Sequence, residues 1–361
     1  MKKVKYTLAT LMVALVVAVV CVGCKKDEGI NMSQSPNNFE NEKSVAVNTL
    51  VQEIAKASIN DDFRNLVYKS ISFRFDGDDD VLCKELQKKN REMNGEELNI
   101  LEALDYFQIQ GRYPQIYIPF FEENRDIRGT ENVIVVNAID INESDQAFQG
   151  YFWNGEALVP TDCLIDEEYA ENHEVWVISI NERVDENGNP LTVFRNGDDD
   201  VSKESKSARS GTKNEYVMTI NCTNLSEIES WIYGAPEIRC DCVSGNSAKI
   251  SSQFFYPDRR RDVDNRDWVV DCCGGRRMYY WNTTQHTKYV YFQWTEIDNS
   301  GSSISFPITF KVGVVSVGTT ITLKADDRDA GGYLVYFDDN LVGHPYNTGL
   351  IKWVDDYALD D

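Results

Sequence analysis

Apolar residues recur at helical spacing in the first third of the chain. Val47, Leu50, Val51 and Ile54 fall at i, i+3, i+4 and i+7, one face of a helix. Phe63, Leu66, Val67 and Ile71 form a second stripe. Asn60 stands before it as an N-cap, with Asp61 and Asp62 in the first turn. Leu82, Leu86 and Met93 mark a third helix, which Asn94-Gly95 breaks, and Leu98, Leu101 and Leu104 mark a fourth. After Pro114 the period shortens. Ile116/Ile118, Val133 to Val136, Phe148 to Trp153 and Val175 to Ile180 read as strands, with Asn154-Gly155 and Asn187-Gly188 as hairpin turns. Val133-Ile134-Val135-Val136 is apolar on both faces, as a central strand requires.

From Asn214 onward nearly every apolar segment is strand-like: Val217 to Cys222, Ile250 to Phe255, Met278 to Trp281, Tyr289 to Glu296, Ile304 to Phe310, Thr319 to Ala325, Tyr333 to Phe337 and Leu350 to Val354. Within Tyr289 to Glu296, alternation puts Val290, Phe292 and Trp294 inward and Tyr289, Tyr291, Gln293 and Thr295 outward. Between the two regions, residues 197–213 hold only Val201 and Ala208 as apolar positions. The expected fold is therefore multi-domain. An N-terminal α+β domain (45–195, about four helices and then a small sheet) is followed by a polar linker (196–213) and an all-β sandwich (214–361).

The segment before residue 45 reads as an address. Lys2, Lys3 and Lys5 precede a stretch from Tyr6 to Gly23 without a charged side chain, and Leu11 to Val20 is continuously apolar. These are the n- and h-regions of a secretory signal. The stretch closes on Val22-Gly23-Cys24 and runs straight into Lys25-Lys26-Asp27-Glu28. This end resembles the lipobox of bacterial lipoproteins, and the Lys-Asp-Glu run resembles the export tag of surface lipoproteins of Bacteroidota. The resemblance implies cleavage between Gly23 and Cys24, diacylglycerol and acyl chains such as palmitate on Cys24, and an outer-membrane, cell-surface location. Cys21 stands where that family prefers Leu. Residues 24–44 are polar and read as the acylated N-terminus and a disordered tether.

The formal net charge is −23, and loss of the first 23 residues, with three Lys and no acid, takes it to −26. Such a chain is repelled by phosphate backbones, so nucleic acid is excluded as a partner. Of nine cysteines, Cys21 is discarded and Cys24 acylated. Seven remain, and export permits disulfides. Cys240, Cys242, Cys272 and Cys273 are the candidates, with Cys240 and Cys242 on one face of a strand.

The three histidines, His173, His286 and His344, are far apart, and no HExxH, Gly-x-Ser-x-Gly, P-loop or GxGxxG is present. Asp76-x-Asp78-x-Asp80 has the opening spacing of an EF-hand. Val81 occupies its sixth position and Gln87 its twelfth, so the three aspartates read instead as carboxylates at a helix N-terminus. The basic run Arg259-Arg260-Arg261, interleaved by Asp258, Asp262, Asp264 and Asp267, reads as a salt-laced loop.

A stronger metal candidate lies in two turns separated by two strands of an antiparallel meander, and so at one end of it. They gather Glu296, Asp298, Asp326, Asp327 and Asp329, with Glu296 in phase with inward Trp294. Carboxylates from several loops suit Ca²⁺. Nearby, Glu229-Ser230-Trp231-Ile232-Tyr233-Gly234-Ala235-Pro236-Glu237 resembles the first ligand loop of C2-type sandwiches, without its usual aspartates. The expected function is a lipid-anchored surface protein that binds an extracellular protein or glycan through sandwich loops, with calcium support. The alternatives are an exported hydrolase or protease-associated protein using carboxylates, and a structural envelope lipoprotein.

Overall fold

The computed structural model describes residues 36–95, 97–139, 141, 145–191, 212–298, 302–338 and 343–358. The segment expected as a signal, with Cys24, and most of the expected 196–213 linker lie outside the described residues. The chain divides into two compact units, Met1–Glu42 and Lys43–Asp361. Among the described residues no helix is long and apolar enough to cross a membrane.

Helix α1 (Pro36–Ala57) begins earlier than its apolar stripe, so residues 36–44, expected as tether, are helical. Proline suits a first helical position because its fixed φ is preorganised there. Helix α2 (Asp61–Ile71) starts as expected: Asn60 Oδ1 accepts from Asp62 N and Phe63 N at 2.8 and 3.3 Å. A short strand, β1 (Asp80–Leu82), leads into α3 (Cys83–Asn94), which Gly95 ends in the left-handed region at φ 68°. Helix α4 (Leu101–Gln108) buries Ala103, Leu104 and Phe107.

Strands β2 (Pro114–Tyr117), β3 (Ile134–Asn137), β4 (Ala147–Trp153), β5 (Leu158–Asp166) and β6 (Val175–Ile180) complete a six-stranded sheet in the order β1-β2-β6-β3-β4-β5. β3 and β6 are parallel, and the other pairs are antiparallel. Both faces are covered, which explains the two-sided apolar run at 133–136. Val133, Val135, Trp176 and Ile178 pack against the helices. Ile134, Val136, Val175 and Val177 pack against Trp231 and Ile232, which come from the second region.

The second region builds two facing sheets. One holds β7 (Thr212–Cys222), with β10 (Trp268–Val269) and β11 (Arg276–Asn282) on one edge and β17 (Ile351–Ala358) then β16 (His344–Asn347) on the other. The other runs β15 (Arg328–Tyr336), β12 (Tyr289–Glu296), β8 (Ile238–Ser244), β9 (Lys249–Phe255). The core between them is aromatic, with Phe292 stacked on Trp353 at 5.9 Å and Trp294 at 5.1 Å from the same ring. The α+β-then-sandwich order read from the sequence is the order the chain adopts.

The outer face of β12 departs from expectation. Tyr291, Gln293 and Thr295, expected in solvent, lie under cover, Gln293 at 4% and Thr295 at 0% exposure. The hairpin of β13 (Ser303–Val312) and β14 (Val315–Lys324) makes a third layer, in which Phe310 stacks on Tyr291 at 4.8 Å and Val243 meets Ile308 and Ile321.

Of the four disulfide candidates, only two have described side chains. Cys240 and Cys242 are free thiols buried in the intersheet core, where β8 turns both inward and the Cys242 side chain is a hydrogen-bond neighbour of Cys240. The side chains of Cys272 and Cys273 lie outside the described residues.

Candidate metal centre

Five carboxylates converge where the first sheet meets the end of the sandwich. Glu182 lies two residues beyond β6. Glu229 and Glu237 flank the loop that carries Trp231. Glu296 is the last residue of β12, and Asp298 follows it. The Ile238–Glu296 register pairs the entry of β8 with the exit of β12, and Ile297 N donates to Glu237 O at 2.9 Å, so Glu237 and Glu296 share one end. Burial of Trp231 against the first sheet, with its Nε1 donating to Gln146 O at 3.2 Å, pulls Glu229 into the same space.

The oxygens form two triads that share Glu229. Glu182, Glu229 and Asp298 have oxygens all within 4.8 Å of one another, and so have Glu229, Glu237 and Glu296. Oxygens opposite each other across a Ca²⁺ stand about 4.8 Å apart, twice a ligand distance of about 2.4 Å. Glu296 is fully buried, and neither of its oxygens receives a hydrogen bond among the described residues. The Glu229 carboxyl is near enough to share a proton with it.

The electrostatics follow from this crowding. Burial first, then the neighbouring carboxylates, push Glu182, Glu229 and Glu296 well above the usual carboxylate range. Glu237 is pushed up to about 7 by burial even though Arg183 opposes the shift. At an effective dielectric of 20, two carboxylates about 4 Å apart repel by about 4 kcal/mol. The group is therefore held together by protons or by a cation.

Arg183 closes one side. Its Nε donates to Glu237 Oε1, and one terminal nitrogen donates to Ala235 O at 3.0 Å and Pro257 O at 3.2 Å. Behind it stand Asp76, Asp78 and Asp80, all buried. Asp78 accepts from Ala235 N at 3.1 Å and from Asp79 N at 2.7 Å, and Asn181 Nδ2 donates to Asp76 Oδ2 at 2.7 Å. These aspartates do not cap a helix as the sequence suggests. The N-cap of α3 is Leu82, and the aspartates are drawn inward by Arg183 and by the backbone of the 229–237 loop. The arginine run is salt-laced, and partly to the first region: Arg259 pairs with Asp262, Arg260 with Glu167 and Arg261 with Glu123.

Of the five residues read as metal ligands, the structure brings Glu296 and Asp298 into the cluster. Asp326, Asp327 and Asp329 stand outside it. Asp326 and Asp329 are exposed. Asp327 accepts from Asp298 N at 3.1 Å and Lys324 N at 2.7 Å, and Asp329 accepts from Gln293 Nε2 at 2.6 Å. They shape the turn that presents Asp298. Glu182, Glu229 and Glu237 went unread. The 229–237 stretch draws attention as a ligand loop, but the carboxylates that converge are the glutamates at its two ends. Nothing in the sequence around Glu182 marks it.

Comparison with family models, with curated proteins and with solved structures returns no match.

Proposed function

We propose that this chain is a lipid-anchored surface protein whose body binds Ca²⁺ at the Glu182/Glu229/Glu237/Glu296/Asp298 cluster, and that the ion fixes the sandwich loops as a binding face for an extracellular protein or glycan. The observation that carries the reading is Glu296, buried without a donor inside a cluster whose oxygen spacing suits a hard cation. Mg²⁺, which demands near-octahedral geometry and keeps its waters, suits an all-carboxylate cage less well. The anchor rests on the lipobox resemblance around Cys24, and Cys24→Ser is expected to move the protein out of the membrane fraction.

The test is calorimetric titration of the full chain with CaCl₂, with melting followed in calcium and in EDTA. Calcium at 100 times its dissociation constant stabilises the fold by about 2.7 kcal/mol. Glu296→Gln is expected to weaken calcium at least tenfold, about 1.4 kcal/mol, and in EDTA to melt no lower than the parent, because it removes a buried carboxyl that has to take up a proton on folding. Asp326→Ala with Asp327→Ala is expected to leave stoichiometry unchanged. No heat and no melting shift at millimolar calcium would sink the reading.

A further inference from the structure

The hairpin of β13 and β14 leaves one long strand edge open. It is a two-stranded sheet of its own, packed over β8 and β12. Its two-residue turn, Gly313-Val314, joins Val312 to Val315, with Gly313 at φ 61° as a type II′ turn requires. The pair flanking such a turn exchanges both backbone bonds, and bonded pairs then alternate along the ribbon. Val315, Val317, Thr319 and Ile321 therefore bond to β13. Ser316, Gly318, Thr320 and Thr322 turn their N–H and C=O groups away from it. Two observations agree with this phase. Pro307, which has no N–H to give, stands opposite Thr320 in the unbonded set, and Thr322 O accepts from Arg239 Nη1 at 3.1 Å. Ser316, Gly318 and Thr320 are exposed, and no described residue bonds to their outward groups.

We infer that this edge pairs with the same edge of a second copy of the chain, antiparallel about a two-fold axis, into one four-stranded sheet. An unpaired edge is a template for another strand, and proteins blunt such edges with proline, charge or brevity. β5 carries Pro160 and Asp162, and β16 is four residues long with Pro345. β14 has no proline, and no charge before Lys324 at its end. The charge pattern selects the partner. Asp and Glu make up 59 residues of the chain, yet none lies between Asn299 and Ala325. A strongly charged partner finds little to pair with along Val315 to Leu323. Two copies of β14 meet there without setting like charges opposite each other, and Ser and Thr face Thr and Gly across the pair. The outer edge of β13, by contrast, is interrupted by Pro307 and carries Lys311. One open edge beside one blocked edge allows a closed dimer and stops an open-ended fibre.

The test is sedimentation velocity of the full chain across a range of concentrations, with detergent micelles in excess over protein, at low and at high salt. The expected result is a monomer–dimer equilibrium that moves towards dimer as salt rises. Screening weakens the repulsion between two acidic bodies, and the paired edges have no ion pairs to lose. Thr320→Asp and Thr320→Lys, both at an exposed position, are each expected to be monomeric, because like charges then face each other across the two-fold. Mixing the two variants is expected to restore a dimer, which a variant that merely fails to fold could not do. A parent chain that stays monomeric at every concentration and salt would overturn the proposal and leave the edge to an extended peptide of another protein. So would a dimer that survives Thr320→Asp, or one that high salt dissolves.

Discussion

Gly234 sits at φ +102°, and a Cβ added there would collide with the Asp78 carboxylate. The same carboxylate accepts from the next amide, Ala235 N, and lies behind Arg183. A side chain at 234 thus meets two penalties, a strained backbone and a displaced buried charge. Gly234→Ala is expected to cost about 1–3 kcal/mol from backbone strain alone, read as a lower urea midpoint with unchanged slope. A loss below about 0.5 kcal/mol, the range of an ordinary surface substitution, would mean that Asp78 moves aside freely and that the Asp78–Ala235 contact does not hold the loop. Gly234→Ala and Glu296→Gln both act beside buried carboxyls, but the first removes space and the second removes a group that has to take up a proton on folding, so their effects in EDTA are expected to have opposite signs.

At the scale of elements, the loop between β7 and β8 joins the two halves of the unit. Trp231 is 1% exposed and lies 5.9 Å from Phe148 of β4, in a core cluster that, apart from its loop neighbours Ile232 and Tyr233, is made of the first sheet and its flanks. Trp231→Ala is expected to cost about 3–5 kcal/mol and, because Glu229 is two residues away, to weaken calcium as well. A variant that loses stability but keeps full calcium affinity would separate the loop's packing from the site. Elements with a strong period were legible in the sequence: the α2 stripe and its Asn60 cap, the two-faced β3, the inward Val290, Phe292 and Trp294. β5 was not, because it is an edge strand interrupted by Pro160 whose positions are mostly exposed, so its apolar residues show no alternation between a core face and a solvent face. The burial of Gln293 and Thr295 was also hidden, since it depends on the β13–β14 hairpin folding over β12. The site was half legible for the same reason. Glu296 is in phase with a core tryptophan on its own strand, a local signal, whereas Glu182, Glu229 and Glu237 arrive through contacts between distant parts of the chain.

Across the whole molecule, the buried carboxyls make stability a function of pH, and the proposed calcium site predicts that the ion changes how steep that function is. Glu182, Glu229, Glu237 and Glu296 all hold protons in the folded state at pH values where the unfolded chain has released them. The folded state therefore binds more protons, and stability falls as pH rises. The stabilising contribution is complete below the unfolded value of about 4.5 and is lost as pH climbs through the folded values, about 7 for Glu237 and well above the usual carboxylate range for the others. Each group still protonated in the fold contributes a slope of about 1.4 kcal/mol per pH unit. In EDTA, urea midpoints are expected to decline between about pH 5 and about pH 8. In saturating calcium the ion takes the place of the protons and the decline flattens, while calcium affinity rises with pH because ligands must be deprotonated. Asp355, fully buried on β17, adds a decline of the same sign. The calcium-dependent part of the slope thus isolates the junctional cluster. Parallel pH profiles in EDTA and in calcium would show that protons alone hold those carboxylates together, and would send the search for a ligand elsewhere on the sandwich.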